Sequence, residues 1–294
     1  MCGIAGALSL GPELGGRDRK AVEAMTAALD HRGPDARGLL VEPLALLGNT
    51  RLKITDLSEA AALPMSGFDD GVWIAYNGAV TNFRELVETF GLDRRMPLRS
   101  GSDAEVVLRL YETLGIDALR HLSGMFAFCI YDARRRKAYL VRDFYGQRPV
   151  FYRVKGGRLH FASEIKAFLE LPDFDKRLDY EALHHYFSLA YIPGKHTPFA
   201  ELRELEGGHY LEIDLGTSRV QERVYHRLRY ETDEERGEKE TAAELRELLL
   251  DSVRRSMDVD VPVGLMLSGG VDTGGILAMI KHLGLSRKLH TFSV

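Results

Sequence analysis

Cysteine stands second in the chain, directly behind Met1, in the run Met1-Cys2-Gly3-Ile4-Ala5-Gly6. The apolar stretch from Ile4 to Leu10 that follows reads as the start of a strand. Methionine is removed in front of small residues, so the mature chain is expected to begin with a thiol and a free α-amine on one residue. A terminal α-amine has a reference pKa of about 7.7–8.0, against about 10.4 for lysine, so it is largely neutral near physiological pH. A thiol is the most nucleophilic side chain, and an adjacent base activates it. Cys2 thus combines attacker and base. By itself the position reads equally well as a small buried hydrophobe behind the start codon.

The 294 residues give room for two domains. The apolar share of 45% supports sizeable cores, and no apolar run reaches membrane-span length. There is no basic segment followed by an apolar one at the N-terminus, so no signal peptide is read. A net charge of −4 gives no general reason to bind nucleic acid, and no membrane association is expected. Cytoplasm is the default location. Two cysteines, Cys2 and Cys129, are too few for a disulfide framework. Cys129 lies in Met125-Phe126-Ala127-Phe128-Cys129-Ile130-Tyr131, a buried-strand pattern, and is assigned to core packing.

Strands are also read at Val72 to Tyr76, Lys137 to Val141 and Leu159 to Ala162, each bounded by turn or charged residues. Helical spacing appears at Val22, Met25 and Leu29, and again from Asp103 through Val106, Val107, Leu110 and Leu114. Strands in bulk with a few amphipathic helices indicate an α+β domain. The almost wholly charged stretch from Glu231 to Glu240 reads as a linker. Behind it, Thr241-Ala242-Ala243-Glu244 forms a capping-box pattern, and Leu245, Leu248, Leu249, Val253 and Met257 make one apolar helix face. A strand from Val263 to Leu267, a glycine turn, a helix from Val271 to Leu283 and a strand near Leu289 complete one βαβ unit.

Several local patterns accompany Cys2. They are His31-Arg32-Gly33-Pro34-Asp35, Gly48-Asn49-Thr50-Arg51-Leu52-Lys53-Ile54-Thr55-Asp56-Leu57, Tyr76-Asn77-Gly78 and Gly101-Ser102-Asp103-Ala104-Glu105. Taken alone, Asn-Gly marks a hairpin turn, Ser102 or Asp103 a helix N-cap, and Arg51 a surface ion pair. Together they resemble the class II glutamine amidotransferases, which hydrolyse glutamine with an N-terminal cysteine. The resemblance implies that Arg51 holds the substrate carboxylate, a role suited to its planar fork, with Leu52, Ile54 and Thr55 beside it. It implies that Asp103 pairs with the substrate α-ammonium. It also implies that the Asn77 side chain and the Gly78 N–H form an oxyanion hole. The family usually reads Asn-Gly-Glu, whereas Ala79 stands here, which implies weaker glutamine binding. Gly124 to Phe128, Arg142-Asp143-Phe144-Tyr145-Gly146-Gln147-Arg148-Pro149 and Phe161 to Lys166 are scaffold by the same resemblance, with Asp143 and Arg148 near the domain interface.

Leu267-Ser268-Gly269-Gly270-Val271-Asp272-Thr273 follows a strand and opens a helix, a setting in which backbone N–H groups form an anion cradle. The pattern resembles the loop of PP-loop ATPases. Behind an amidotransferase domain, it resembles the glutamine-dependent asparagine synthetases. Thr273 keeps the hydroxyl of the usual serine, and Gly274 and Gly275 replace better helix formers. Leu267, Ser268, Gly269, Gly270, Asp272, Thr273 and Val294 are the implied ATP contacts, and no metal-ligating protein residue is assigned.

The resemblance therefore implies an α+β protein: an N-terminal-nucleophile αββα sandwich over residues 2–215, a linker over 216–240, and a truncated α/β PP-loop domain over 241–294. Implied partners are glutamine, ATP with Mg²⁺, and aspartate, with a complementing synthetase polypeptide or a homodimer also open. Ammonia released at Cys2 would amidate an activated aspartate. Two alternatives stand beside this: an amidotransferase subunit serving another acceptor, and a non-catalytic glutamine- or ATP-binding remnant.

Overall fold

The computed structural model describes residues 1–294 except Arg95, 233–235, 287–288 and Val294. The chain divides into two compact units. The first comprises Met1–Lys53 and Ser58–Arg227, the second Ile54–Leu57 and Leu228–Val294.

In the first unit the elements run β1 (Gly3–Ser9), α1 (Gly16–Ala27), β2 (Ala36–Val41), β3 (Ala45–Arg51), β4 (Met65–Ser66), β5 (Val72–Val80), α2 (Phe83–Phe90) and α3 (Asp103–Leu114). They continue with β6 (Gly124–Asp132), β7 (Lys137–Arg142), β8 (Phe151–Lys155), β9 (Arg158–Ala162), α4 (Tyr180–Leu189), β10 (Arg203–Glu204), β11 (His209–Asp214) and β12 (Arg219–Val224). Two six-stranded sheets result, in the orders β10-β8-β9-β1-β3-β2 and β12-β11-β7-β6-β5-β4. All their paired strands are antiparallel.

The period-2 alternation of each strand builds four layers. Along β1, Ala5 packs with Met25 and Leu29, and Ala7 with Val22, so one face meets α1. Ile4 and Leu8 point the other way and join Ala75, Ala127, Cys129, Leu140 and Phe161 between the sheets. On β5 and β6 the opposite alternates, Ile74, Tyr76, Phe126 and Phe128, pack on Val106, Val107 and Leu110 of α3. This is the expected αββα sandwich. Cys129 is fully buried in it, and burial pushes its thiol far up, as its assignment to packing requires.

Some strand-level expectations shift. The strands β2, β3, β4, β8, β10, β11 and β12 go beyond those that the sequence pattern indicates, and β3 is buried along its whole length, without the alternation that betrays a half-exposed strand. The expected linker start at 216 falls inside the β11–β12 hairpin, in which Leu211 faces Glu222 and Ile213 faces Val220. The first unit accordingly extends to Arg227.

The second unit holds α5 (Glu238–Ser256), β13 (Gly264–Met266), α6 (Val271–His282) and β14 (His290–Phe292), with β13 and β14 parallel. The capping box expected at Thr241 does not form, because α5 begins one turn earlier behind Gly237. Glu238 and Glu240 in that first turn suit the positive end of the helix, and the Thr241 hydroxyl bonds back to the Gly237 carbonyl at 3.1 Å. No helix among the described residues is long and apolar enough to cross a membrane.

Candidate functional site

Cys2 enters β1, and the strand behind it is tied on both sides. The Ile4 N–H donates to Ser163 Oγ at 3.0 Å, and the Ser163 N–H donates to the Ile4 carbonyl at 2.9 Å. Gly3 has no room for a side chain, since a Cβ would lie 2.7 Å from Thr50 Oγ1 and 2.9 Å from Leu29 Cβ. The thiol itself rests on the backbone of Leu52, whose N–H points at Sγ from 3.4 Å. Burial pushes the thiol upward, and that N–H offsets part of the effect. The thiol is therefore protonated at neutral pH and reacts only when a base takes its proton. The amine at the chain's N-terminus moves the opposite way. Burial lowers it most, and Arg32 and Arg148 lower it further.

The His31-Arg32-Gly33-Pro34-Asp35 segment does more than turn the chain. Arg32 Nε donates to the Cys2 carbonyl at 2.9 Å, and Nη1 donates to Glu164 at 2.8 Å. His31 and Lys166 gather on the same glutamate. A Cβ on Gly33 would strike the Thr50 carbonyl carbon at 2.4 Å, so this turn seats against β3 only with glycine there.

Asn49 joins the two sheets and had no assigned role. Its Oδ1 accepts from the Tyr76 N–H at 2.7 Å, and its Nδ2 donates to the Gly3 carbonyl at 3.1 Å. One carboxamide thus connects the backbone beside Cys2 to the backbone beside Asn77. The contacts span 46 and 27 residues of sequence, and only the doublet Gly48-Asn49 at a strand end hinted at them.

Asn77 lies on β5 opposite Ala127, and Gly78 opposite Phe126, so this Asn-Gly pair is strand and not hairpin turn. Asn77 Nδ2 is buried with no hydrogen-bond partner. A buried amide left so costs about 1–3 kcal/mol, and an acceptor supplied by a ligand would recover it.

Ser102 caps α3, its Oγ accepting from the Ala104 N–H at 3.2 Å, and this frees Asp103 for another use. Asp103 Oδ2 accepts from the Tyr76 hydroxyl at 2.6 Å and the Val80 N–H at 2.8 Å. Burial raises its pKa, against the pull of those bonds. Arg51 ends β3 nearly buried and donates to the Ser58 carbonyl at 3.0 Å. Both charges act on the Cys2 thiol, Arg51 favouring the thiolate and Asp103 opposing it. Cys2, Arg51, Leu52 and Asp103 are therefore brought together. Ile54 and Thr55 group instead with the second unit, where the Asp260 N–H donates to the Ile54 carbonyl at 3.1 Å. Ala79 faces Met125 across β5 and β6.

Asp143 is fully buried and organises the loop behind β7. Its carboxylate accepts from the N–H groups of Phe126, Tyr145, Gln147 and Arg148 at 2.9–3.2 Å. That is a scaffold role within the first unit.

In the second unit the loop from Leu267 to Gly270 links β13 to α6. The Leu267 N–H donates to the Phe292 carbonyl at 2.7 Å, which anchors the strand end. Gly269 adopts φ +78°, open to glycine at no steric cost, and nothing lies within 4 Å of where its Cβ would be. Ser268 Oγ and Thr273 Oγ1 stand 3.2 Å apart across the turn, and Asp272 lies in the first turn of α6. Gly274 and Gly275 continue the helix with open space around each. Val294 lies outside the described residues.

A glutamine amidotransferase domain model matches residues 1–226, and an asparagine synthase model matches residues 244–294. A putative glutamine-hydrolysing asparagine synthetase 2 of Methanocaldococcus jannaschii is 33% identical over 316 residues, spanning 100% of this chain and 59% of that protein. The glutamine-hydrolysing asparagine synthetase 2 of Bacillus subtilis is 33% identical over 306 residues, spanning 100% of this chain and 40% of that protein. The chain thus covers about half the length of these relatives. Among solved structures, the glutamine phosphoribosylpyrophosphate amidotransferase of B. subtilis, complexed with ADP and GMP, aligns with a TM-score of 0.57 at 16% identity. It covers 99% of this chain and 65% of that one, a likeness of fold. With the amidotransferase model spanning the whole first unit up to its last hairpin, the chain belongs to the class II glutamine amidotransferases and carries an asparagine-synthase-like segment behind that domain.

Proposed function

We propose that the chain hydrolyses the side-chain amide of glutamine at Cys2 and passes the ammonia to an ATP-dependent amidation. The observation that carries this reading is that Cys2 Sγ rests on the N–H of Leu52 at 3.4 Å, next in sequence to Arg51, while Asn49 ties the strand behind Cys2 to the strand of Asn77. The charges of Arg51 and Asp103 both bear on this thiol. A free amino acid has a carboxylate and an ammonium at one end. Clamping both groups leaves the side-chain amide carbonyl at the other end to meet Sγ.

In this reading the Cys2 α-amine takes the thiol proton as Sγ attacks the amide carbon. The carbonyl oxygen becomes an oxyanion, met by Asn77 Nδ2 and the Gly78 N–H. Collapse expels ammonia, which leaves with the proton, and water then hydrolyses the thioester to glutamate. Leu52 supplies its N–H to the sulfur, while Ile54 and Thr55 are proposed on the carboxylate side of glutamine. The domain division proposed is a glutamine amidotransferase domain, a linker, and the opening of a PP-loop domain. Leu267, Ser268, Gly269, Gly270, Asp272, Thr273 and Val294 would contact ATP, whose phosphates suit an open glycine turn at a helix N-terminus. ATP with Mg²⁺ would activate the acceptor carboxylate, and aspartate is the acceptor proposed from the asparagine-synthase-like segment.

The test is glutamate and ammonia formation from glutamine by the full chain, with the N-terminal mass recorded. Hydrolysis by protein lacking Met1 is expected. No hydrolysis by correctly processed protein overturns the reading, and activity with Met1 retained overturns the amine's role.

A further inference from the structure

Arg148 has no part in the chemistry described so far, yet it stands at the head of the chain. Its backbone N–H is fixed by Asp143 Oδ2 at 2.9 Å, and its carbonyl accepts from Arg142 Nε at 3.0 Å. Its Nη1 meets Met1 Sδ. Its Nε is buried with no hydrogen-bond partner, as is Nη2 of Arg32, whose Nε holds the Cys2 carbonyl. A buried donor left without an acceptor is costly, and the backbone bonds to Asp143 and Arg142 fix where the Arg148 side chain starts.

Removing Met1 takes away the thioether that Nη1 touches and puts the new α-amine at Cys2. We propose that Arg148 is a positioning residue of the glutaminase reaction: its guanidinium, together with that of Arg32, holds the mature Cys2 amine unprotonated and ready to accept the thiol proton. This rests on the glutaminase reading. The physical reason is like-charge repulsion, which disfavours an ammonium beside two guanidinium groups in a desolvated site. For the amine at the present N-terminus burial is the largest cause of lowering, and both arginines add to it in the same sense.

The opposing groups are few. Asp35 and the Cys2 thiol favour the charged amine. Asp103 and Arg51 act on the thiol with opposite signs. Tyr76 stays protonated under burial and the Asp103 charge, Glu164 is committed to Arg32, His31 and Lys166, and Asp143 to four backbone N–H groups. Arg148 is thus the cation near the amine with no carboxylate partner of its own among the described side chains.

The experiment is the pH profile of kcat/KM for glutamine hydrolysis by the full chain, with Arg148→Gln and Arg148→Lys compared. Arg148→Gln should move the acid limb to higher pH by about 1 unit. Below the limb that is a loss of roughly tenfold at fixed pH, with the plateau little changed. Arg148→Lys keeps the charge and should keep the limb. An unmoved limb in Arg148→Gln, or an equal shift in Arg148→Lys, overturns the proposal. A second measurement needs no turnover: the α-amine is titrated by mass-detected acylation across pH in the unmodified chain and in Arg148→Gln. A higher midpoint in Arg148→Gln is expected, and an equal midpoint overturns the proposal. If the chain hydrolyses no glutamine, the glutaminase reading fails, while this titration still decides the state of the amine.

Discussion

The two units use similar local grammar and reach different ends. In the first, each of β1, β5 and β6 sends alternate side chains into two different cores, and both faces of both sheets are covered. In the second, the apolar stripe of α5 keeps Leu245 at 54% and Leu248 at 61% exposure, and Val271 reaches 91%. Among the described residues of that unit, only Leu250 and Ile280 are buried hydrophobics. A two-stranded parallel sheet has too little surface to cover its helices. The contrast shows which surroundings need a core. Those of Cys2 are set by contacts across dozens of residues, which a closed sandwich supplies. The contact of Ser268 with Thr273 across the glycine turn joins residues five apart, and a single strand neighbour, Phe292, anchors the strand end before it.

The comparison breaks first if glutamine hydrolysis depends on the second unit. Cys2→Ala should abolish ammonia release, whereas Cys129→Ala and Asp272→Ala should leave it nearly intact; loss of activity in Asp272→Ala would tie the two units' functions together. Next in size, Asn77→Ala should lower kcat by about 10²–10³, or roughly 2.7–4 kcal/mol of barrier, if its orphaned amide meets the oxyanion. A change in KM alone would make Asn77 a binding group instead.

Acid sensitivity should also belong to the first unit. Burial pulls His160 down to about 4 from the ordinary 6.5, so the folded chain keeps it neutral where the unfolded chain is charged. Above pH 6.5 it costs nothing. As pH falls towards 4, the unfolded state binds a proton that the fold refuses, and about 3 kcal/mol of stability is lost. His160→Leu should flatten that slope in urea unfolding followed by the sheet signal, and an unaltered slope would move the sensitivity elsewhere. The smallest effect expected is Ala79→Glu, which should lower KM for glutamine by the equivalent of about 1.5–3 kcal/mol if it adds one contact to the substrate ammonium. An unchanged KM would show that Asp103 alone serves that end.

Much of this was legible in the sequence because it repeats locally. The alternation in Met125 to Tyr131 and the spacing of Val106, Val107 and Leu110 translate directly into layers. The motifs around Cys2, Arg51 and Asp103 named residues whose charges bear on one thiol, and their roles toward glutamine remain a proposal. What stayed hidden depends on partners remote in sequence. β3 lacks polar alternation because both its faces are covered. Asp103 stood out by resemblance as a partner for a substrate ammonium, and only the fold shows Tyr76 and Val80 claiming its carboxylate. Arg32 looked like part of a turn until Glu164, 132 residues away, fixed its fork.

Asn49 has a consequence for motion. Two stacked sheets slide and breathe against each other, and a nucleophile on one with its facing strand on the other would ordinarily feel every such displacement. Here a single planar amide grips the Gly3 carbonyl with one end and the Tyr76 N–H with the other. It works as a tie rod of fixed length. Any shift that separates the strand behind Cys2 from the strand carrying Asn77 therefore has to stretch or break one of these two hydrogen bonds.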